Sequence, residues 1–143
     1  MKKLILLISL IPFLIAGCAS TEEKSPLEGA WRLVYAEWQG LDLSFPEQVT
    51  GSSIKFWSKD HFAYASQLQL DDVAIHYLGA GTYTLEGNRY IEHIEYHRSE
   101  DILGSKIYIL LEIDGDTITQ RFPANENWEL TEYHQVQKYV RID

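Results

Sequence analysis

The sequence predicts an all-β chain folded as an up-and-down antiparallel barrel of about eight strands, the architecture that short, evenly spaced strand segments support. Three observations carry this reading. From Leu27 onward, segments rich in Tyr, Ile, Val, Thr and Trp recur, separated by Gly, Asp, Asn or Pro. Glu86-Gly87-Asn88-Arg89 and Asp114-Gly115-Asp116 set Gly beside Asn or Asp, residues that accept the positive φ of tight hairpin turns, so the flanking segments run antiparallel. Outside two short stretches, no part of this region carries the apolar period of a three-turn amphipathic helix.

Taken in order, the strands are expected at residues 30–38, 53–58, 61–70, 74–79, 81–86, 89–97, 106–113 and 117–122, with a last one inside 128–142. One or two of these neighbouring segments are expected to merge. Residues 41–50, which contain Pro46, and 99–104 are the two stretches suited to a short helix or a loop. Closing such a meander into a barrel removes the exposed edges of an open sheet. At about eight strands the interior is filled by side chains or holds one small ligand. A sandwich is the plainer alternative.

The N-terminus gives an address. Lys2 and Lys3 precede an apolar run over residues 4–15, broken by Pro12 and short for a bilayer crossing, which reads as a secretory leader. It ends in Ala16-Gly17-Cys18, which resembles the lipobox of bacterial lipoproteins. The resemblance implies cleavage before Cys18 and acylation of its thiol, giving a leader over 1–17, a lipidated Cys18 with a polar tether over 18–26, and a barrel domain over 27–143. An ordinary signal peptide with a chance cysteine is the alternative. Ala19 is not the aspartate that retains many lipoproteins at the inner membrane, so the resemblance implies the outer membrane of a bacterial envelope. Each buried acyl methylene contributes about 0.8 kcal/mol, enough for several chains to hold a soluble domain durably.

Charge and composition exclude several classes. The formal net charge is −9, and losing the leader would remove two lysines, which disfavours nucleic acid as a partner because such binding comes largely from Lys and Arg neutralising phosphates. Cys18 is the only cysteine, so no intramolecular disulfide can form. There is no G-x-S-x-G elbow, no phosphate-cradling loop before a helix and no HExxH or HxH spacing. The expectation is a protein that is not an enzyme and has no cofactor and no metal.

Leu27-Glu28-Gly29-Ala30-Trp31-Arg32-Leu33-Val34 is similar to the opening Gly-x-Trp strand of lipocalins. The similarity continues through Lys55-Phe56, His61-Phe62-Ala63, Gly79 to Gly87, Tyr90 to Tyr96 and Leu103-Gly104, and together these resemble the lipocalin-like domains of bacterial secreted proteins and lipoproteins. In that family the Trp closes the barrel floor and a basic side chain of the last strand packs across it. For Trp31 the resemblance implies Arg141 or Lys138, with Arg141 preferred.

Two groups of residues are candidates for a site. Phe56, Phe62, Tyr64 and Tyr83 recur across strands and can line a ligand cavity or simply fill a core. On residues 90–97, alternation sets Ile91, His93, Glu95 and His97 on one face and Tyr90, Glu92, Ile94 and Tyr96 on the other. If the first face is internal, His93 and Glu95 fix a ligand; if external, it is a solvated barrel wall. The leading expectation is a lipid-anchored barrel binding a small apolar or amphipathic molecule unchanged. The alternatives are an envelope scaffold that docks a protein partner, and a metal-assisted enzyme using His93, Glu95 and His97.

Overall fold

A computed structural model describes residues 24–143. The leader and Cys18, with the cleavage and acylation expected there, lie outside the described residues. Nine strands follow in order: β1 (Gly29–Trp38), β2 (Leu43–Phe45), β3 (Val49–Trp57), β4 (His61–Leu70), β5 (Val73–Glu86), β6 (Arg89–His97), β7 (Lys106–Asp114), β8 (Thr117–Ala124) and β9 (Leu130–Arg141). A 3₁₀ turn, Glu100–Ile102, lies between β6 and β7. From β3 to β9 each strand pairs antiparallel with the next, and β1 pairs with both β3 and β9. Eight strands therefore close an up-and-down barrel, and β2 is an extra strand laid along the upper half of β1.

The strand order agrees with the sequence-based expectation, with two differences. The segments at 74–79 and 81–86 form one continuous strand, β5. The stretch 41–50, expected as loop or helix, instead holds β2 and the start of β3. Its Val49 is buried, so carrying the strand upward to Val49 closes the upper wall. At the two tight turns the positive φ falls on Gly87 (63°) and Gly115 (55°), not on Asn88 or Asp116. A first central glycine of this kind matches the right-handed twist of the flanking strands.

Two bulges decide which side chains face inward. Leu33 pairs with Tyr139 and Tyr35 with Lys138, so Val34 is the extra residue of β1. The buried positions shift there from Trp31 and Leu33 to Ala36. In β6, Ile94 pairs with Gly81 and Tyr96 with Ala80, leaving Glu95 unpaired. Gly81 makes this possible: a Cβ at that position would lie 1.9 Å from the backbone oxygen of His93. An extra residue re-aims every side chain beyond it.

The end where the chain enters is closed. Trp31 and Leu27 are fully buried, and the Trp31 indole donates to the Leu27 carbonyl at 2.8 Å. Trp57 packs edge-on against Trp31 (6.2 Å), Tyr90 (6.5 Å) and Tyr139 (6.3 Å). The guanidinium of Arg141 lies 4.2 Å from the Trp31 ring centroid and donates to the Glu28 carbonyl at 2.7 Å. Lys138 lies instead over Tyr35, so the last strand offers Arg141 to Trp31. Ser25 and Pro26, in the expected tether, already touch this end: the Ser25 hydroxyl meets that of Tyr83 at 2.8 Å, and Arg141 donates to the Pro26 carbonyl. With its pairings closed and its own continuous core, the described chain is a folding unit by itself.

Candidate functional site

Above the aromatic floor the barrel holds a cavity of about 350 Å³, open at the end opposite the chain entry. This is at the small end of the range for small-molecule sites. Its upper wall is mainly apolar, with Trp38, Leu68, Ile94, Ile107 and Phe122, interrupted by His97, Gln135 and Gln137. Its base is polar and includes Ser53, Lys55, Glu92 and Gln120.

The base is built by strand alternation. On β3, Ser53, Lys55 and Trp57 are buried together. Trp57 fixes that phase, since its indole fills the floor, and the same phase carries Lys55 inward and Phe56 outward. On β6, Tyr90 and Ile94 are buried, and Glu92 between them follows. Lys55 and Glu92 are therefore brought into contact across the barrel, their side chains 5% and 6% exposed. The Lys55 ammonium donates to Glu92 Oε1, and Tyr90 donates to the same oxygen at 3.0 Å. Trp57 Nε1 in turn donates to the Tyr90 hydroxyl at 2.7 Å.

Burying two opposite charges carries a desolvation cost of several kcal/mol per ion, offset only by close pairing and further polar contacts. Here the offset is visible. Gln120 Oε1 lies 3.4 Å from Lys55 Nζ, and the rings of Trp57, Phe62, Tyr64 and Tyr90 stand 4.9, 5.3, 5.8 and 5.7 Å from it. Aromatic faces attract a desolvated cation. Gln120 is 1% exposed, and its Nε2 has no hydrogen-bond partner among the described residues. Ser53 and Ser66 bond to each other at 2.7 Å.

Burial, and secondarily the Glu92 carboxylate, push the Tyr64 phenol up to about 12 and hold those of Tyr139 and Tyr90 well above the ordinary 10.0. A raised folded-state value leaves stability unchanged below about pH 10 and erodes it above, because the unfolded chain releases these protons first. In an alkaline titration, phenolate absorbance from these three residues is expected to rise only together with loss of native tryptophan fluorescence. Interior phenolate appearing in a still-folded barrel would contradict this packing.

Of the six residues the sequence offers as ligand-binding, Phe56, Phe62, Tyr64, Tyr83, His93 and Glu95, only Tyr64 lines the cavity. Phe62 is buried but lies stacked on Tyr64 rather than at the cavity surface. Tyr83 belongs to the closed end, where its hydroxyl donates to the Ser58 and Lys59 carbonyls. Phe56 points outward and is 49% exposed. His93 and Glu95 also face outward, because the bulky Tyr90 and Ile94 take the inner face of β6. His97 lies beyond the bulge at Glu95 and turns back to line the mouth, so it does not share a face with His93. The Ser99 N–H donates to His97 Nδ1 at 3.0 Å. Among the described residues, no three His, Cys, Asp or Glu side chains come together as metal ligands.

Sequence reasoning missed Lys55, Glu92 and Gln120. Its usable signal was that Lys55 is in phase with Trp57 and Glu92 with Tyr90: opposite charges, each two residues from an aromatic that must be buried. No protein-family model and no curated protein matches the chain, so its function is read from the barrel, its cavity and the buried polar group.

Proposed function

We propose that this protein is a lipid-anchored, lipocalin-like barrel of the bacterial envelope that takes up a small, largely apolar or amphipathic molecule in its cavity and leaves it chemically unchanged. The observation that carries the reading is the cavity itself. A closed barrel of this size can fill its interior, yet here a mainly apolar upper wall surrounds about 350 Å³ above a polar base. Ligand sites have this composition, an apolar lining with a few fixed polar groups. The anchor rests on Ala16-Gly17-Cys18 and the preceding apolar run.

Native mass spectrometry of the full-length protein extracted from bacterial membranes, alongside Cys18→Ser, tests both halves. The wild-type chain is expected to carry an acyl mass on Cys18 and to release a bound small molecule on activation in the gas phase. Cys18→Ser should lack the acyl mass and keep the ligand. A wild-type barrel with no bound species, and no displacement of a neutral fluorescent probe such as N-phenyl-1-naphthylamine by any hydrophobic extract, would remove the ligand reading.

A further inference from the structure

The ionic and hydrogen-bonding state of the cavity base selects the kind of head group a ligand can present there. Among the described cavity-lining residues, Lys55 is the one Lys or Arg and Glu92 the one Asp or Glu, and they neutralise each other. An entering carboxylate would compete with Glu92 for the same ammonium and leave one unpaired negative charge at a buried site. The whole chain, at −9, adds to that repulsion.

The unused hydrogen-bonding capacity is mixed. Both bonds to Glu92 fall on Oε1, leaving Oε2 without a partner among the described residues. Tyr64 lines the cavity with its ring 5.8 Å from the Lys55 ammonium, and its hydroxyl, which lies over Gly79, makes no hydrogen bond among the described residues. A tyrosine phenol is protonated, and so a donor, at neutral pH. Gln120 Nε2 is a second donor without a partner. An acceptor and two donors around a charge-neutral base match a head group that itself both accepts and donates.

We propose that the cavity is selective for uncharged ligands with a head group that both accepts and donates hydrogen bonds, of which a primary carboxamide is the simplest, and that it rejects carboxylates. This rests on the ligand-binding reading above. In bound form the amide oxygen accepts from Tyr64 and the amide nitrogen donates to Glu92 Oε2.

Scaffold-matched pairs test it on residues 24–143 in detergent-free buffer at neutral pH: decanamide against decanoate, and 2-naphthamide against 2-naphthoate, by tryptophan fluorescence and calorimetry. In whichever scaffold binds, the amide is expected to be at least about tenfold tighter, as the cost of burying an unpaired charge requires. Glu92→Gln, which leaves Lys55 without its counter-charge, should erase or reverse the preference. Tyr64→Phe should weaken the amide alone, an independent readout if Glu92→Gln unfolds the barrel. A carboxylate bound as tightly as its amide overturns the selectivity while leaving the ligand-binding reading in place. An amide preference that neither variant changes also overturns it, and failure of all four compounds to bind overturns both.

Discussion

Replacing Glu92 alone by Leu is expected to destabilise the barrel by about 3 to 5 kcal/mol, because it leaves the Lys55 ammonium buried without its counter-charge. Lys55 is 4% exposed, and its remaining polar neighbour, Gln120 Oε1, lies 3.4 Å away, too weak a contact to replace a carboxylate. Tyr90 loses its acceptor in the same substitution. The double variant Lys55→Met with Glu92→Leu should behave differently. Removing both charges and filling the space with apolar atoms of similar volume is expected to be neutral or stabilising by about 1 to 4 kcal/mol. Urea unfolding followed by tryptophan fluorescence compares the two. If the double variant is as unstable as the single, the pair holds the fold together, and its role is not confined to the chemistry of the cavity.

Trp31→Ala is expected to cost about 3 to 5 kcal/mol, the range for deleting a large buried aromatic. The indole is wholly buried, meets Trp57 edge-on, ties Leu27 through its Nε1 and supports the Arg141 guanidinium on its face. Its loss empties the floor and frees the first strand's lead-in at once. Arg141→Met separates these effects: it keeps apolar cover over the ring but removes the cation, a contribution of about 0.5 to 2 kcal/mol. Thermal unfolding of the two variants should order them Trp31→Ala well below Arg141→Met. Equal losses would mean that the floor is held by the arginine's bonds to the Glu28 and Pro26 carbonyls and not by packing of the indole.

Much of the fold was legible because strand period and turn chemistry are local. Gly87 and Gly115 announce their hairpins, and the merged β5 costs the reading nothing but a boundary. The site was less legible because it depends on phase, and phase is not local. On residues 90–97 the alternating sets could be written down, but which set faces inward is decided by the rest of the barrel. Tyr90 and Ile94 outweigh Ile91 and His93 once Trp57 and Tyr83 are available to pack against Tyr90. The bulges at Val34 and Glu95 then reverse the phase within a strand, which no fixed period reveals. Lys55 is hard to recognise for the opposite reason: a lysine in a strand reads as solvent-facing until its partner, far along the chain, is known. Arg141 was accessible only through the resemblance, which supplied a contact between the first and last strands that the residues themselves do not announce.

Both described chain ends leave the molecule at one pole. Ser25 and Pro26 contact the closed end, and Ile142 donates its backbone N–H to Ala30 on the first strand. The cavity opens at the other pole. Any tension applied through the N-terminus is therefore borne by the tryptophan floor and the Arg141 clasp, and the rim formed by Trp38, His97 and Phe122 lies outside the load path. A barrel held at one end in this way keeps the mouth of its cavity free. For the same reason, a tag or surface attached to either terminus leaves the entrance clear.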